Sequence, residues 1–400
     1  MSLTALAGSI PAPGTINYHM NLRTATRSFR HRFDRHKPLI TIALSRENLL
    51  HNLHTYQAAY PGLTFAPVLK SNAYGHGLVP IAQMLDTENT AFFMVDSYFE
   101  ARSLRRSGIR TRIAVIGYVQ PEEIATSSLP DTDYAIVDIE QLRELSRMAR
   151  KEVSLHIKVD TGMHRQGLLP QELPEAIQLI SSNPRLSVVG ICSHLADADS
   201  ADSDTHSHAQ LAVWKQAAST LTTAFPSIIY RHLSATKGVR FSEEAGTTVG
   251  RLGIGLYGVD TSPQGTIDLR PVLEMRTRIS SLRTIPPGDF VGYNATHVAQ
   301  APETIATIPT GYYEGIDRAL SNVGSVRVQS VPCPIVGRVS MNMASIDVSS
   351  VPGVARGDEV IVISREPSHD NSIQSMARLI GTSPYVLLVH IPQHLKRVIE

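Results

Sequence analysis

Lys70 closes the apolar run "FAPVL" and precedes "SNAYGHG". A lysine at the end of a buried strand can lose much of its hydration. Desolvation favours the neutral amine, and a free amine forms a Schiff base with an aldehyde. Taken alone, Lys70 reads equally as an ion-paired structural lysine. Other chemically capable residues follow other apolar runs. Asp160 and Arg165 come after "HIKV", His194 after "VVGICS", His232 and Thr236 after "IIYR", and Arg251 after "TTV". Tyr74 with Gly75 and Gly77, and the glycines of "TVGRLGIG", could offer a phenol and backbone amides to a phosphate. Glycine clusters by themselves are more often turns.

The elements that must carry these residues alternate in type. "PLITIALS" reads as a strand, and Ser45 is placed to cap a helix over "RENLLHNLHTYQAAY". From roughly residue 60 to 258, about eight strand-then-helix units follow one another, "LTFAPVLK" through "VGRLGIGLYG". That repetition predicts an α/β fold, a (β/α)8 TIM-like barrel. In such a barrel, functional side chains gather at the C-terminal ends of the strands, where the residues named above fall. From about residue 269 the pattern changes to short β-rich runs divided by Pro-Gly, Gly and Asn turns, a mainly β C-terminal domain. The expected organisation is a basic tail over 1–37, a barrel over 38–268 and the β domain over 269–400. The first strand is open to joining that last domain.

Composition narrows the function. With 400 residues and a hydrophobic fraction of 42%, the chain can bury cores for two domains. Lys+Arg 37 against Asp+Glu 36 gives no footprint for nucleic acid or an anionic membrane. No apolar run approaches the ~20 residues of a membrane span. Cys192 and Cys333 have no metal-ligand spacing and read as reduced, buried thiols; no metal is expected. Residues 1–37 are basic and acid-poor, which suits a disordered tail or a transit peptide. Pro11, Pro13 and Gly14 would interrupt an amphipathic helix there and favour the tail.

The blocks "VLKSNAYGHG", "IKVDTGMHRQG", "GRLGIGLYG", "VGYNATHVA", "IPTGYYEGIDRALSN", "PIVGRVSMN" and "GVARGDEVIVI" resemble, in order, those of the alanine racemase family. The resemblance covers about residues 38–395. It implies a cytoplasmic, pyridoxal 5'-phosphate-dependent amino-acid racemase, a homodimer with shared active sites. Such an enzyme interconverts L- and D-alanine, with serine a possible second substrate, by a two-base mechanism on a cofactor aldimine. Its D-alanine feeds peptidoglycan.

By the same resemblance, Lys70 holds the cofactor and Tyr293 reaches in from the other subunit as the opposed base. Tyr74, Thr236 and the amides of Gly253 and Ile254 bind phosphate. Arg251 faces the pyridine nitrogen, held by His232. Arg165 contacts the cofactor's phenolic oxygen and the substrate. His194 hydrogen-bonds and tunes Tyr293. Tyr312, Met341 and Asn342 line the substrate side, Met341 through its backbone amide. Lys158 is the position whose carbamylation orients Arg165. A free phenol ionises near pH ~10, so a tyrosine base needs hydrogen bonds or cations beside it. An arginine cannot accept the pyridine proton, so the ring stays a weaker electron sink.

Several positions depart from the family pattern. Ala235 and Thr236 replace Asn and Ser, which keeps one hydroxyl and removes one amide. Asn342 stands where Asp is common and offers an amide donor, which would ease acceptance of serine. The end of the chain, "IPQHLKRVIE", lacks the usual Arg-Val-Pro-Arg run, and Gln393 falls where some members place a phosphate-binding tyrosine. His76 receives no catalytic role. Two alternatives remain. A pyridoxal-phosphate-dependent decarboxylase on the same plan would need an acid in place of Arg251 and a catalytic cysteine, and Cys333 has a turn-like context. A non-catalytic pyridoxal-phosphate-binding protein would not need Tyr293.

Overall fold

The computed structural model describes residues 38–198, 204–259 and 267–400. The expectations for 1–37 lie outside the described residues. The first strand, β1 (Thr41–Leu44), runs antiparallel to Leu273–Arg278 and parallel to Lys396–Ile399. It is therefore an interior strand of the six-stranded sheet built otherwise from residues after 272. Ile42, Ala43 and Leu44 are all buried, as a strand covered on both faces requires.

The chain then turns into the barrel. Ser45 caps the helix Arg46–Ala59, its hydroxyl accepting the Asn48 N–H at 3.1 Å. Asn52, on the buried face of that helix, binds Leu256 O and Arg270 O at 3.0 and 2.8 Å and ties the barrel's end to the start of the β domain.

The barrel strands are β2 (Thr64–Pro67), β3 (Phe93–Val95), β4 (Ile113–Val115), β5 (Thr132–Ile136), β6 (Val153–Lys158), β7 (Leu186–Cys192), β8 (Tyr230–His232) and β9 (Val249–Leu252). β3 to β8 form one parallel sheet and β2 pairs with β9. A parallel bridge between Val68 and Met94 joins β2 to β3. The Thr248 N–H to Arg231 O and Arg251 N–H to Ser234 O bonds, 2.9 and 3.1 Å, join β9 to β8. These bonds complete the ring of eight strands. The runs between the strands are helical where the apolar spacing predicts it, except that "KGVRFSEEAG" forms a 3₁₀ turn, Gly238–Phe241, and one short helical turn, Ser242–Ala245. Gly246, in the left-handed region with φ of 62°, ends the helical turn after four residues.

In the β domain, a three-stranded sheet of Ser281–Ile285, Glu303–Ile308 and Ala344–Asp347 accompanies the larger one. The turn expected around Cys333 is instead a strand, Val331–Pro334, paired with Ser325–Val328. Alternation in that strand turns Cys333 fully inward, and burial pushes its thiol up to about 11. Cys192 is also a buried free thiol. No helix among the described residues is long and apolar enough to cross a membrane.

Candidate active site

Lys70 leaves the end of β2, and the next four residues wind the wrong way. Ser71, Asn72, Ala73 and Tyr74 have φ between 51° and 56°. Left-handed backbone costs an L-residue roughly 1–2 kcal/mol, so neighbouring contacts must hold this turn. Asn72 supplies three of them. Its N–H meets Glu100 Oε1 at 3.2 Å, its Oδ1 accepts the Leu78 N–H at 2.9 Å, and its carbonyl accepts the Gly77 N–H at 2.8 Å. Arg397 donates to Gly75 O at 2.7 Å from the far end of the chain. His76 turns Nδ1 towards the carbonyls of Ala73 and Tyr74 and packs its ring 4.4 Å from that of Tyr257. Its role is to hold the turn. Burial lowers its pKa to about 4, so the ring is neutral.

The turn carries the Tyr74 hydroxyl towards Gly253. A Cβ added at Gly253 would lie 3.1 Å from that hydroxyl and 3.6 Å from Thr236 Oγ1. The bare Cα thus leaves a small cradle between two hydroxyls. The Thr236 hydroxyl also receives the N–H groups of Gly253 and Gly255, at 3.1 and 3.4 Å. Ile254 opens the 3₁₀ turn Ile254–Tyr257 beside them.

Arg251, in β9, is almost fully buried. Its guanidinium donates to the carbonyls of Leu233 and Ser234 and to His194 Nδ1 at 2.9 Å. His194, not His232, is therefore the imidazole that hydrogen-bonds Arg251. His232 turns Nε2 to His156 Nδ1 at 2.7 Å, and His156 faces Asp133, which receives both arms of Arg112 at 2.6 Å. The resemblance implied that His232 holds Arg251; here His232, buried in β8, is hydrogen-bonded to His156 instead. Since Arg251 donates to Nδ1, His194 must be neutral with its proton on Nε2. Burial, then Arg251, Arg165, Lys158 and Lys70, lower its pKa to about 3. Lys158 ends β6 and bonds Gln166 at 3.2 Å. Burial lowers its pKa, and so do Arg165, Arg251 and Lys70, all of them cations. One polar group at the barrel mouth thus unites Lys70, Tyr74, Lys158, Arg165, His194, Thr236, Arg251 and Gly253.

The β-domain residues form a second group. Tyr293, Tyr312 and Met341 line a cavity of ≈ 770 Å³ together with Arg318 and Leu387. Tyr293 is 68% exposed within one chain and is not hydrogen-bonded to His194 there. Asn342 donates to Glu314 Oε1 at 2.6 Å, so its amide nitrogen is directed to an acid of this chain. One residue of the barrel-mouth group escaped the sequence reading. Tyr385, near the start of the helix Pro384–Val389, packs its ring 5.8 Å from Tyr74. An aromatic therefore does arrive from the C-terminal end, eight residues before Gln393. The capped "SPY" marks a helix start but gives no sign of what the tyrosine approaches.

Residues 44–261 match the alanine racemase N-terminal domain, and residues 272–399 match the alanine racemase C-terminal domain. The chain belongs to the alanine racemase family. An alanine racemase of Syntrophobacter fumaroxidans is 35% identical over 84% of this chain and 92% of its own length. The alanine racemase of Clostridium difficile 630 superposes with a TM-score of 0.84 at 26% identity, covering 92% of this chain and 97% of that one. A Bacillus anthracis alanine racemase crystallised with bound L-Ala-P gives 0.83 at 25% identity, over 91% and 96%.

The alanine racemase family uses pyridoxal phosphate, and the groups at this barrel mouth fit it. The cradle at Gly253 has donors a phosphate takes, the hydroxyls of Tyr74 and Thr236, and the Gly253 amide at its edge is held by Thr236. Lys70, Lys158, Arg165 and Arg251 supply the positive charge that its anionic groups require. His232 Nδ1 and Ser234 Oγ, next to these residues, are buried polar atoms without partners among the described residues.

Proposed function

We propose that the protein interconverts L- and D-alanine with pyridoxal phosphate, as a homodimer in which each subunit completes the other's site. The observation that carries this reading is the position of Lys70. It stands at the barrel mouth beside Lys158 and His194, next to a glycine cradle lined by Tyr74 and Thr236. Tyr74, Thr236 and the amides of Gly253 and Ile254 would hold the phosphate, and Arg251 would face the pyridine nitrogen. Lys70 would hold the cofactor through Nζ. Bound there, pyridoxal phosphate supplies the electron sink that lets an amino acid's α-proton leave.

This chain's residues supply two proton-moving groups on opposite faces. Lys70 Nζ would move the proton on the D-side. The phenol of Tyr293, from a second subunit, moves it on the other. His194 offers its Nε2–H to that phenol, because its Nδ1 is already committed to Arg251. A hydrogen-bond donor and nearby cations favour a phenolate. Arg165 would contact the cofactor oxygen and the substrate, and carbamylation of Lys158 would turn a cation into an acceptor for Arg165. Tyr312 and the Met341 amide would border the substrate carboxylate. The exposure of Tyr293 supports the shared site, since the phenol is free to enter another subunit's barrel. The reading includes a cytoplasmic location, consistent with two unpaired buried thiols, and supply of D-alanine to peptidoglycan.

The test is a racemase assay on the purified holoenzyme with L-alanine and L-serine separately, resolved by chiral chromatography. D-alanine should form, and Lys70→Ala should abolish it. Absence of D-product from L-alanine despite bound cofactor would overturn the reading.

A further inference from the structure

Met341 lies between two loops that are fastened face to face. The N–H of Tyr312 donates to Ser340 O at 3.0 Å and that of Tyr313 to Met341 O at 2.9 Å. A Cβ on Gly311 would lie 2.2 Å from Ser340 O and 2.5 Å from Met341 O, so only glycine permits this approach. One buried acid locks the pair. Glu314 is 7% exposed; its Oε2 accepts the Gly311 N–H at 2.8 Å and its Oε1 accepts the Asn342 amide at 2.6 Å. Met341 O is thus occupied, while no acceptor among the described residues takes the Met341 N–H.

We infer that Glu314 and Asn342 form a clasp that aims the Met341 N–H at the substrate carboxylate. They are positioning residues for carboxylate recognition, and Asn342 acts through Met341 rather than by touching the substrate side chain. The inference rests on the proposed racemase site. It also accounts for an amide at 342. An aspartate would set two carboxylates against each other at a separation where both cannot comfortably ionise.

The clasp is tested with four holoenzymes: wild type, Asn342→Asp, Glu314→Gln and the double variant. Asn342→Asp keeps the shape and removes the donor. Glu314→Gln leaves one side-chain oxygen for two donors. In the double variant the pair is reversed, since the amide now at 314 can donate to the carboxylate now at 342 and still accept the Gly311 N–H. Each single variant should raise KM for alanine about tenfold, the effect of losing roughly 1.4 kcal/mol of carboxylate binding. It should weaken competitive inhibition by acetate in parallel, with a much smaller fall in kcat. The double variant should return both to within about twofold of wild type, a rescue that simple destabilisation would not give. If a single variant fails to fold, the double variant and Asn342→Ala, which lacks any donor, carry the same comparison. Wild-type activity with KM and acetate inhibition unmoved by either single change would overturn the clasp alone. An inactive wild type would overturn the proposed function instead.

Discussion

Gly253 is the residue on which the phosphate cradle depends most simply, because the cradle is the space its missing side chain leaves. Gly253→Ala puts a methyl 3.1 Å from the Tyr74 hydroxyl, close enough that the phenol must yield by a few tenths of an ångström. The fold should tolerate that, but a phosphate in the same space should not. Affinity for pyridoxal phosphate, followed by absorbance titration of the apoprotein, should fall more than tenfold, or about 1.4 kcal/mol, while the thermal midpoint of the apoprotein stays near wild type. Equal cofactor affinity would remove the cradle from the site. The residues that were legible in the sequence share one signal, a reactive side chain closing an apolar run. Lys70, His194 and Arg251 carry it, whereas Lys158 rests only on the family resemblance. Contacts made by such residues were not legible. His194 and His232 both follow β-runs, and only the geometry shows which of them takes the Arg251 guanidinium. Tyr385 reaches Tyr74 across more than 300 residues of chain with no local pattern to announce it.

The left-handed turn after Lys70 shows how an element is held against its own preferences. His76 is part of that restraint, and its burial makes the turn sensitive to acid. The folded pKa lies at about 4, below the ordinary 6.5. Between those values the unfolded chain binds the proton that the folded chain refuses, so stability rises with pH there. The contribution is complete above about pH 6.5 and is lost as pH falls towards 4. It amounts to about 3 kcal/mol, at 1.36 kcal/mol per unit. His76→Asn retains a donor near Nδ1 and cannot titrate. Urea unfolding should therefore show wild type more stable at pH 7, with the difference narrowing steadily towards pH 4. A constant difference would mean that His76 does not refuse the proton. The turn itself was not foreseeable. "SNAYG" contains one glycine, and four successive left-handed residues before it contradict ordinary backbone preference. Tertiary bonds from Glu100 and Arg397 decide the matter.

At the scale of the whole molecule, the alternation of strand and helix made the barrel legible, and the shift to short β-runs marked the second domain. The position of β1 was left open because an alternating tetrapeptide suits either sheet; pairing with Leu273–Arg278 and Lys396–Ile399 resolves it. Assembly has no such signature. Within one chain, Lys70 and its neighbours are built on the barrel, whereas Tyr293, Tyr312 and Met341 present themselves on the β domain. Two copies that exchange these faces would unite Lys70 of one with Tyr293 of the other. The most direct measurement is therefore to mix two inactive proteins, Lys70→Ala and Tyr293→Phe, under conditions that exchange subunits. A mixed dimer contains one site with both substitutions and one with neither. Recovery of alanine racemisation on mixing, absent from each parent alone, is the predicted result. Mixed dimers that form, as judged by a tag on one partner, yet remain inactive would contradict the shared two-base site.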